Sequence, residues 1–298
     1  MLMLTIRETP QKTLEYVKGN RVFQTPSLKT ARIKVSAVII THNESKNLRR
    51  TLTQLHWCDE IIIVDSYSTD DTVAIAEEFG CRVFFKVFEG YGAQKRYAVA
   101  LANNDWVLNI DADEVLSDDL VREIMQEFRK GPSCSGYRLP MNLVFLGREF
   151  RYGKESQRYF LRLFNKTAGN WNDSVVHEKI ELQGTIGRME GKMLHYSYHN
   201  LQQWYDKFGR YTTMSAEGAV RKGKKKSIAA VLFALPWYFF RYYFIERNIL
   251  NGTEGFYWSV LSSLSHFTKY IKIRELQTPS SSRQAASFLS YKASACQD

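Results

Sequence analysis

Cysteine is scarce in this chain: four residues in 298 (Cys58, Cys81, Cys134 and Cys296), scattered, with no C-x-x-C pair. That excludes a disulfide framework and a cysteine-ligated metal module, and it fits reduced thiols in a cytosolic compartment. Phosphate-cradling glycine motifs are missing too. No G-x-G-x-x-G follows the first apolar run and no G-x-x-x-x-G-K-[ST] occurs, so dinucleotide and P-loop readings lose their anion site. The lack of a G-x-S-x-G elbow weakens an α/β-hydrolase reading. Met1-Leu-Met-Leu-Thr-Ile-Arg7 holds too short an apolar run for a signal peptide, with no basic stretch before it, so export is not expected.

Apolar residues make up 44% of the chain and charged ones 24%, which excludes a disordered chain and suffices for one large or two modest domains. The formal charge is +10, unevenly placed. Residues 1–150 hold 19 Lys+Arg against 20 Asp+Glu, whereas residues 151–298 hold 22 against 11. The positive excess lies wholly in the second half, so the two halves face different surroundings.

Residues 1–33 are polar, without sustained periodicity, and read as an N-terminal extension. Short apolar runs then alternate with helical patterns. Strands are expected at 35–41, 60–65, 81–85 and 105–110, and helices at 44–56, 71–79, 91–103 and 117–129. This alternation predicts βαβ units and a mostly parallel sheet flanked by helices. Beyond about residue 135 the segments become shorter and richer in aromatic and basic residues, with a helix expected over 200–217. The tail, 276–298, is rich in Ser and Ala.

Ligands of open parallel sheets lie at the carboxyl ends of the strands. Asp65 ends the second strand and Asp111-Ala-Asp-Glu114 ends the fourth. Carboxylates gathered at one rim repel one another unless a cation joins them. Mg²⁺ or Mn²⁺, held by one or two carboxylates and substrate phosphates, supplies that role, with Asp111 and Asp113 as the ligands. Asp70, just before an apolar helix, reads as a helix cap.

Four ordered motifs carry a resemblance: Ser36-Ala-Val-Ile-Ile-Thr-His-Asn-Glu44, Asp59-Glu-Ile-Ile-Ile-Val-Asp-Ser-Tyr-Ser-Thr-Asp70, Gly90-Tyr-Gly-Ala-Gln94 and Asp105-Trp-Val-Leu-Asn-Ile-Asp-Ala-Asp-Glu114. Over roughly residues 35–275 the sequence resembles family 2 glycosyltransferases, inverting, metal-dependent enzymes of the GT-A fold. Through Leu161-Arg-Leu-Phe164, Val176-His-Glu178 and Leu194-His195 it is similar to the WaaE-like branch, which adds a β-linked glucose to the heptose of the lipopolysaccharide inner core. Tyr67 stands where that family usually has Gly, and Lys95-Arg96 where Arg-Asn is usual.

The resemblance implies a role for each matching position. Asp65 faces the uracil or ribose of a UDP-sugar, the loop containing Thr41, Asn43 and Glu44 closes over it, and Gln94 and Ala112 belong to the same donor site. Asp111 and Asp113 hold the metal, His195 is its third ligand, and Lys95 or Arg96 adds positive charge for the phosphates. Glu178 is the general base, with His177 as the competing base. Taken without the resemblance, Glu178 reads as a surface glutamate on an edge strand, and His195 and His199 read as helix residues. Arg158 and Arg162 suit either an anionic acceptor or a solvated face.

Ile228–Ile245 is strongly apolar, and residues 233–270 hold 13 of the chain's 41 aromatics, just after Lys222-Gly-Lys-Lys-Lys226. Pro236 and Arg241 disfavour a span, so the segment reads as a helical hairpin lying in the headgroup region of an anionic membrane. A buried C-terminal helix is the alternative. The aromatics form one apolar block, which argues against nucleic acid.

The expectation is thus a GT-A catalytic domain over 34–217, with donor half 34–134 and acceptor half 135–217, membrane-associating helices over 218–275, and a flexible tail. The expected reaction moves a sugar, glucose, from UDP onto a lipid-linked or phosphorylated glycan at the cytoplasmic membrane face. Transfer to polyprenyl phosphate or another envelope polysaccharide is the alternative acceptor. A metal-dependent nucleotidyltransferase would use the same carboxylates, and a non-catalytic membrane adaptor is disfavoured by the intact acidic residues.

Overall fold

A computed structural model describes residues 33–156, 158–172, 179–198 and 200–277. The expected extension (apart from Ile33), Gln157, the segment 173–178 that includes His177 and Glu178, His199, and the tail beyond Gln277 lie outside the described residues.

The first strands are β1 (Val35–Thr41), β2 (Glu60–Asp65), β3 (Arg82–Phe85) and β4 (Trp106–Asn109), all parallel where they pair. Between and after them come α1 (Ser45–Thr53), α2 (Thr72–Glu78), α3 (Tyr91–Ala100), the short strand β5 (Glu114–Leu116) and α4 (Asp118–Lys130). The continuous apolar runs reflect burial on both faces. Val35, Ala37 and Ile39 of β1 pack with Leu48 and Leu52 of α1, while Val38 packs with Ala98 and Val99 of α3 on the other side. Fully buried side chains of this size contribute about 1.5–3 kcal/mol each, so the two-sided pattern fixes the central strands.

Strand order is β3-β2-β1-β4, so the chain leaves β1 for β2 on one side and places β4 on the other. That is a topological switch point, where a crevice opens at the carboxyl ends of β1 and β4.

The second half is mixed. It contains β6 (Gly136–Phe145), β7 (Arg148–Glu149), β8 (Arg158–Asn165), β9 (Gly169–Trp171), β10 (Ile180–Leu182), β11 (Ile186–Arg188) and β12 (Met193–Tyr198). The sheet continues β4-β8-β6-β12-β5, with β8 antiparallel to β4 and β5 antiparallel to β12. His195 therefore lies on a strand, not on a helix, and pairs in register with Glu114.

Helix α5 (Leu201–Arg221) runs four residues past its expected end, and α6 (Ile228–Phe240) continues through Pro236 into a π turn over Arg241–Ile245. A 3-10 turn at Asn248–Asn251 leads into α7 (Gly252–Gln277), so Leu276 and Gln277, assigned by the sequence to the tail, are helical. The hairpin turn is tied down by Asn251, whose amide accepts from Arg151 N at 3.1 Å and donates to the Tyr152 carbonyl at 2.9 Å. Trp258 of α7 completes an aromatic cluster with Phe145 and Phe150.

Candidate active site

The loops after β1 and β2 are laced together. Asp65 is wholly buried, and its carboxylate accepts from Thr41 Oγ1 at 2.7 Å, Ser68 N at 2.7 Å and Ser68 Oγ at 2.6 Å. Asn43 Oδ1 accepts from Thr69 N at 2.8 Å, and Glu44 N donates to Thr72 Oγ1 at 2.8 Å. Asp70 accepts from Ser45 N at 3.1 Å and Thr72 N at 3.0 Å. It therefore supports the first turn of α2 and also braces α1, while Asp71 occupies the cap position. Burial opposes its charged form, but hydrogen bonds from the Thr72 hydroxyl, then from Ser45 and the two amides, outweigh burial and lower its pKa to about 2. Tyr67 has φ +61°, the left-handed region that glycine enters without cost. Its ring stacks on Phe85 at 5.8 Å.

The chain leaves β4 through Ile110 and turns Asp111 into the crevice. Asp111 Oδ1 lies 2.9 Å from Lys95 Nζ, and Oδ2 lies 3.0 Å from Arg162 Nη2. Arg162, on β8, also donates to Glu114 Oε1, and Glu114 Oε2 accepts from Asp111 N at 2.9 Å. Arg162 on β8 thus reaches Glu114 on β5 although β6 and β12 stand between those strands, which requires a strongly curled sheet. Burial alone would raise the Asp111 pKa, but Arg162 and Lys95 hold it well below the ordinary carboxylate range. Glu114, 1% exposed, is pushed up by burial despite Arg162. Asp111 keeps about a third of its side chain open (34%), whereas Lys95 and Arg162 keep 8% each.

Asp113, two residues on in the same turn, has Oδ2 at 3.2 Å from His195 Nε2. Burial disfavours the imidazolium, but Asp113, then Glu114 and Asp111, raise the His195 pKa above its ordinary value. Glu44 lies within reach of these charges; burial, then Asp113, raises its pKa, against the Asn47 hydrogen bond and Lys207.

The other residues singled out from the sequence are held by separate contacts. Gln94 is buried and donates to Ser66 Oγ at 2.8 Å, with its own Oε1 unpartnered. The Ala112 carbonyl accepts from Thr51 Oγ1 at 2.7 Å, which anchors the acidic turn to α1. Arg96 donates to the Asn172 carbonyl. Arg158 pairs with Glu155 at 3.1 Å. Arg162 was expected on an acceptor or solvated face; it is instead the buried counter-ion of Asp111 and Glu114. Its signal was available, since buried acids require a cationic partner, but nothing local ties Arg162 to a turn 51 residues away.

Asp111, Asp113 and His195 suit a divalent cation by donor type, two carboxylates and one imidazole, with the imidazole beside Asp113. Among the described residues no group of three His, Cys, Asp or Glu side chains is drawn closely enough to hold an ion by itself. A magnesium-like ion commonly completes its shell with water and substrate phosphates.

A parallel half with Asp111 and Asp113 at its switch point, continued by a curled mixed half, is the architecture of the GT-A fold. The family model described as glycosyl transferase family 2 matches residues 36–180. A glycosyltransferase of Rickettsia conorii is 36% identical over 258 residues, covering 81% of this chain and 90% of that protein. The chain belongs to glycosyltransferase family 2. It is also similar to the lipopolysaccharide core biosynthesis glycosyltransferase LpsC of Rhizobium meliloti, 30% identical over 250 residues, covering 81% of this chain and 92% of that one. Among solved structures, the glucosyl-3-phosphoglycerate synthase of Mycobacterium tuberculosis in complex with Mn²⁺, UDP and phosphoglyceric acid aligns with 25% identity and a TM-score of 0.33, over 39% of this chain and 44% of that one.

Proposed function

We propose that this glycosyltransferase moves glucose, with inversion, from UDP-glucose onto a lipid-linked glycan of the lipopolysaccharide inner-core type. The observation that carries the reading is Asp111, held ionised between Arg162 and Lys95 at the end of β4 with about a third of its side chain (34%) exposed. Asp111, Asp113 and His195 would hold Mg²⁺ or Mn²⁺. When bound, the ion supplies Lewis acidity toward the leaving diphosphate. Around it, the Thr41–Glu44 loop, Asp65, Gln94 and Ala112 shape the donor pocket. Arg162 and Lys95 keep Asp111 deprotonated. Glu178, or His177 in its place, takes the proton from the acceptor hydroxyl as the single displacement proceeds.

The domain reading assigns donor binding to 34–134, acceptor binding to 135–217 and membrane association to 218–275. Support for the last comes from α6, which is built inside out. Leu232, Phe233, Trp237 and Phe240, with Phe244 of the π turn that follows, are exposed, Phe233 at 70%. The hydroxyls of Tyr238 and Tyr242 turn inward, to Tyr270 at 2.9 Å and His266 at 3.0 Å. Ile228–Ile245 is long and apolar enough to cross a membrane, with mean hydropathy 1.5, yet only 6% of it is buried in the protein. An exposed apolar stripe next to Lys222–Lys226 suits the cytoplasmic headgroup region of an anionic bilayer.

Screening nucleotide sugars for thermal stabilisation and product release, with and without Mn²⁺, tests the reading. Release of UDP from UDP-glucose supports it. Pyrophosphate release would instead mark a nucleotidyltransferase and sink it.

A further inference from the structure

A cleft of about 200 Å³ opens where the end of β12 meets α5 and α7. Tyr198, Trp204, Tyr211 and Thr212 line it from β12 and α5, and His266 and Lys269 from α7. Aromatic walls with a few polar groups are the composition of a small-ligand site. The cleft is near the catalytic rim. Strand β12 runs from His195, beside Asp113, to Tyr198 three residues on, about 10 Å at strand spacing. Lys207 lies between the two. Its ammonium donates to the Ser197 carbonyl at 3.0 Å, sits 5.1 Å over the Tyr198 ring, and bears on Glu44.

Positive charge is gathered here, and the acids that bear on the lining and its neighbours, Glu155 and Glu246, are themselves paired with Arg158 and Arg241. Burial lowers the pKa of Lys269, and the charges acting on it are those of Lys224 and Lys226. Burial, then Lys269, Arg241, Lys154 and Lys226, pushes His266 down to about 4, so its imidazole is neutral at neutral pH. Nε2 of that ring meets the Tyr242 hydroxyl at 3.0 Å, while Nδ1 is buried without a partner. Glu155, an acid that bears on Tyr198, is held by Arg158 at 3.1 Å. A lysine repelled by its neighbours gains from an anionic, hydrogen-bonding ligand.

We propose that this cleft binds a phosphorylated sugar unit of the acceptor glycan. The rings of Tyr198 and Tyr211 pack against the sugar, Lys269 takes the phosphate, and Lys207 guides the chain toward Asp113. The proposal rests on the reading of the protein as a transferase acting on a glycan, and it names the acceptor's charge class.

Titration of the full chain with glucose 6-phosphate, followed by tryptophan fluorescence under saturating UDP, tests it. Binding is expected, weakened about tenfold or more in Lys269→Gln and kept in Lys269→Arg, with uncharged glucose at least tenfold weaker. Equal affinity of wild type and Lys269→Gln, or of the two sugars, would overturn the proposal. So would a Lys269→Gln chain that loses phosphatidylglycerol vesicles yet keeps its sugar-phosphate affinity, because the phosphate would then be a lipid headgroup. The donor reading is separable. A chain that binds glucose 6-phosphate in this Lys269-dependent way but releases no UDP from any UDP-sugar keeps the cleft and loses the proposed reaction.

Discussion

Arg162 Nη2 lies 3.0 Å from Asp111 Oδ2 and also bonds Glu114, so one buried guanidinium joins the acidic turn to strand β8. Removing one member of such a group strands the others. Arg162→Met is expected to destabilise the fold by about 3–5 kcal/mol. Urea unfolding checks this, and an unchanged midpoint would mean that the guanidinium contributes nothing net.

Asp113 is a different case, because its main partner is His195 at 3.2 Å and no buried guanidinium depends on it. Asp113→Ala is expected to fold normally by circular dichroism. Its metal-dependent transfer should fall by two orders of magnitude or more, about the loss seen when electrostatic stabilisation of a leaving group is removed. Glu178→Gln should keep donor binding and lose transfer. Unchanged turnover in the Gln variant would move the base elsewhere.

The central sheet was legible because burial on both faces leaves a continuous apolar run. Val35–Thr41 and Glu60–Asp65 match their expected limits. The acidic rim was legible because Asp65 and Asp111 follow such runs directly. What escaped were contacts made across the curl. Arg162 lies in a strand whose alternation says nothing about Asp111, just past the end of neighbouring β4, or about Glu114 on β5, three strands on. Strand β5 has three residues, too few to show a period. Pro140 within β6 argues against a central strand from sequence alone. Lys207 sits on an ordinary helical pattern and acquires meaning only once α5 packs beside β12. Tyr67 could be flagged against glycine, but only its φ of +61° gives the reason.

Asp70 ties the loops that follow β1 and β2, and its folded pKa of about 2 lies below the ordinary 3.8. A depressed carboxylate pKa contributes stability that is complete above the unfolded value and is lost as pH falls through the folded one. Asp70→Asn should therefore be less stable than wild type at neutral pH, with the gap closing between about pH 4 and pH 2. The side chain is exposed, so the effect is modest. Thermal melts across that range check it, and a constant gap would contradict it.

Phe233 and Trp237 are 70% and 54% exposed on the outer stripe of α6. Phe233→Ser with Trp237→Ser should leave the melting temperature within a degree or two, since surface changes cost little. The same pair should weaken sedimentation with phosphatidylglycerol vesicles several-fold, and the wild-type association should itself weaken in high salt. Equal vesicle binding by wild type and the double variant would remove α6 from the membrane account.

The central claim is metal-assisted transfer from a UDP-sugar at the Asp111–Asp113 turn. Its most direct test compares wild type with Asp113→Ala on UDP-glucose and membrane-derived acceptor glycan, with Mn²⁺ or EDTA, and follows released UDP against pyrophosphate. The expected result is UDP release and sugar incorporation by wild type with Mn²⁺ only, and neither by the variant. Pyrophosphate as the product, or equal UDP release by Asp113→Ala, would contradict it.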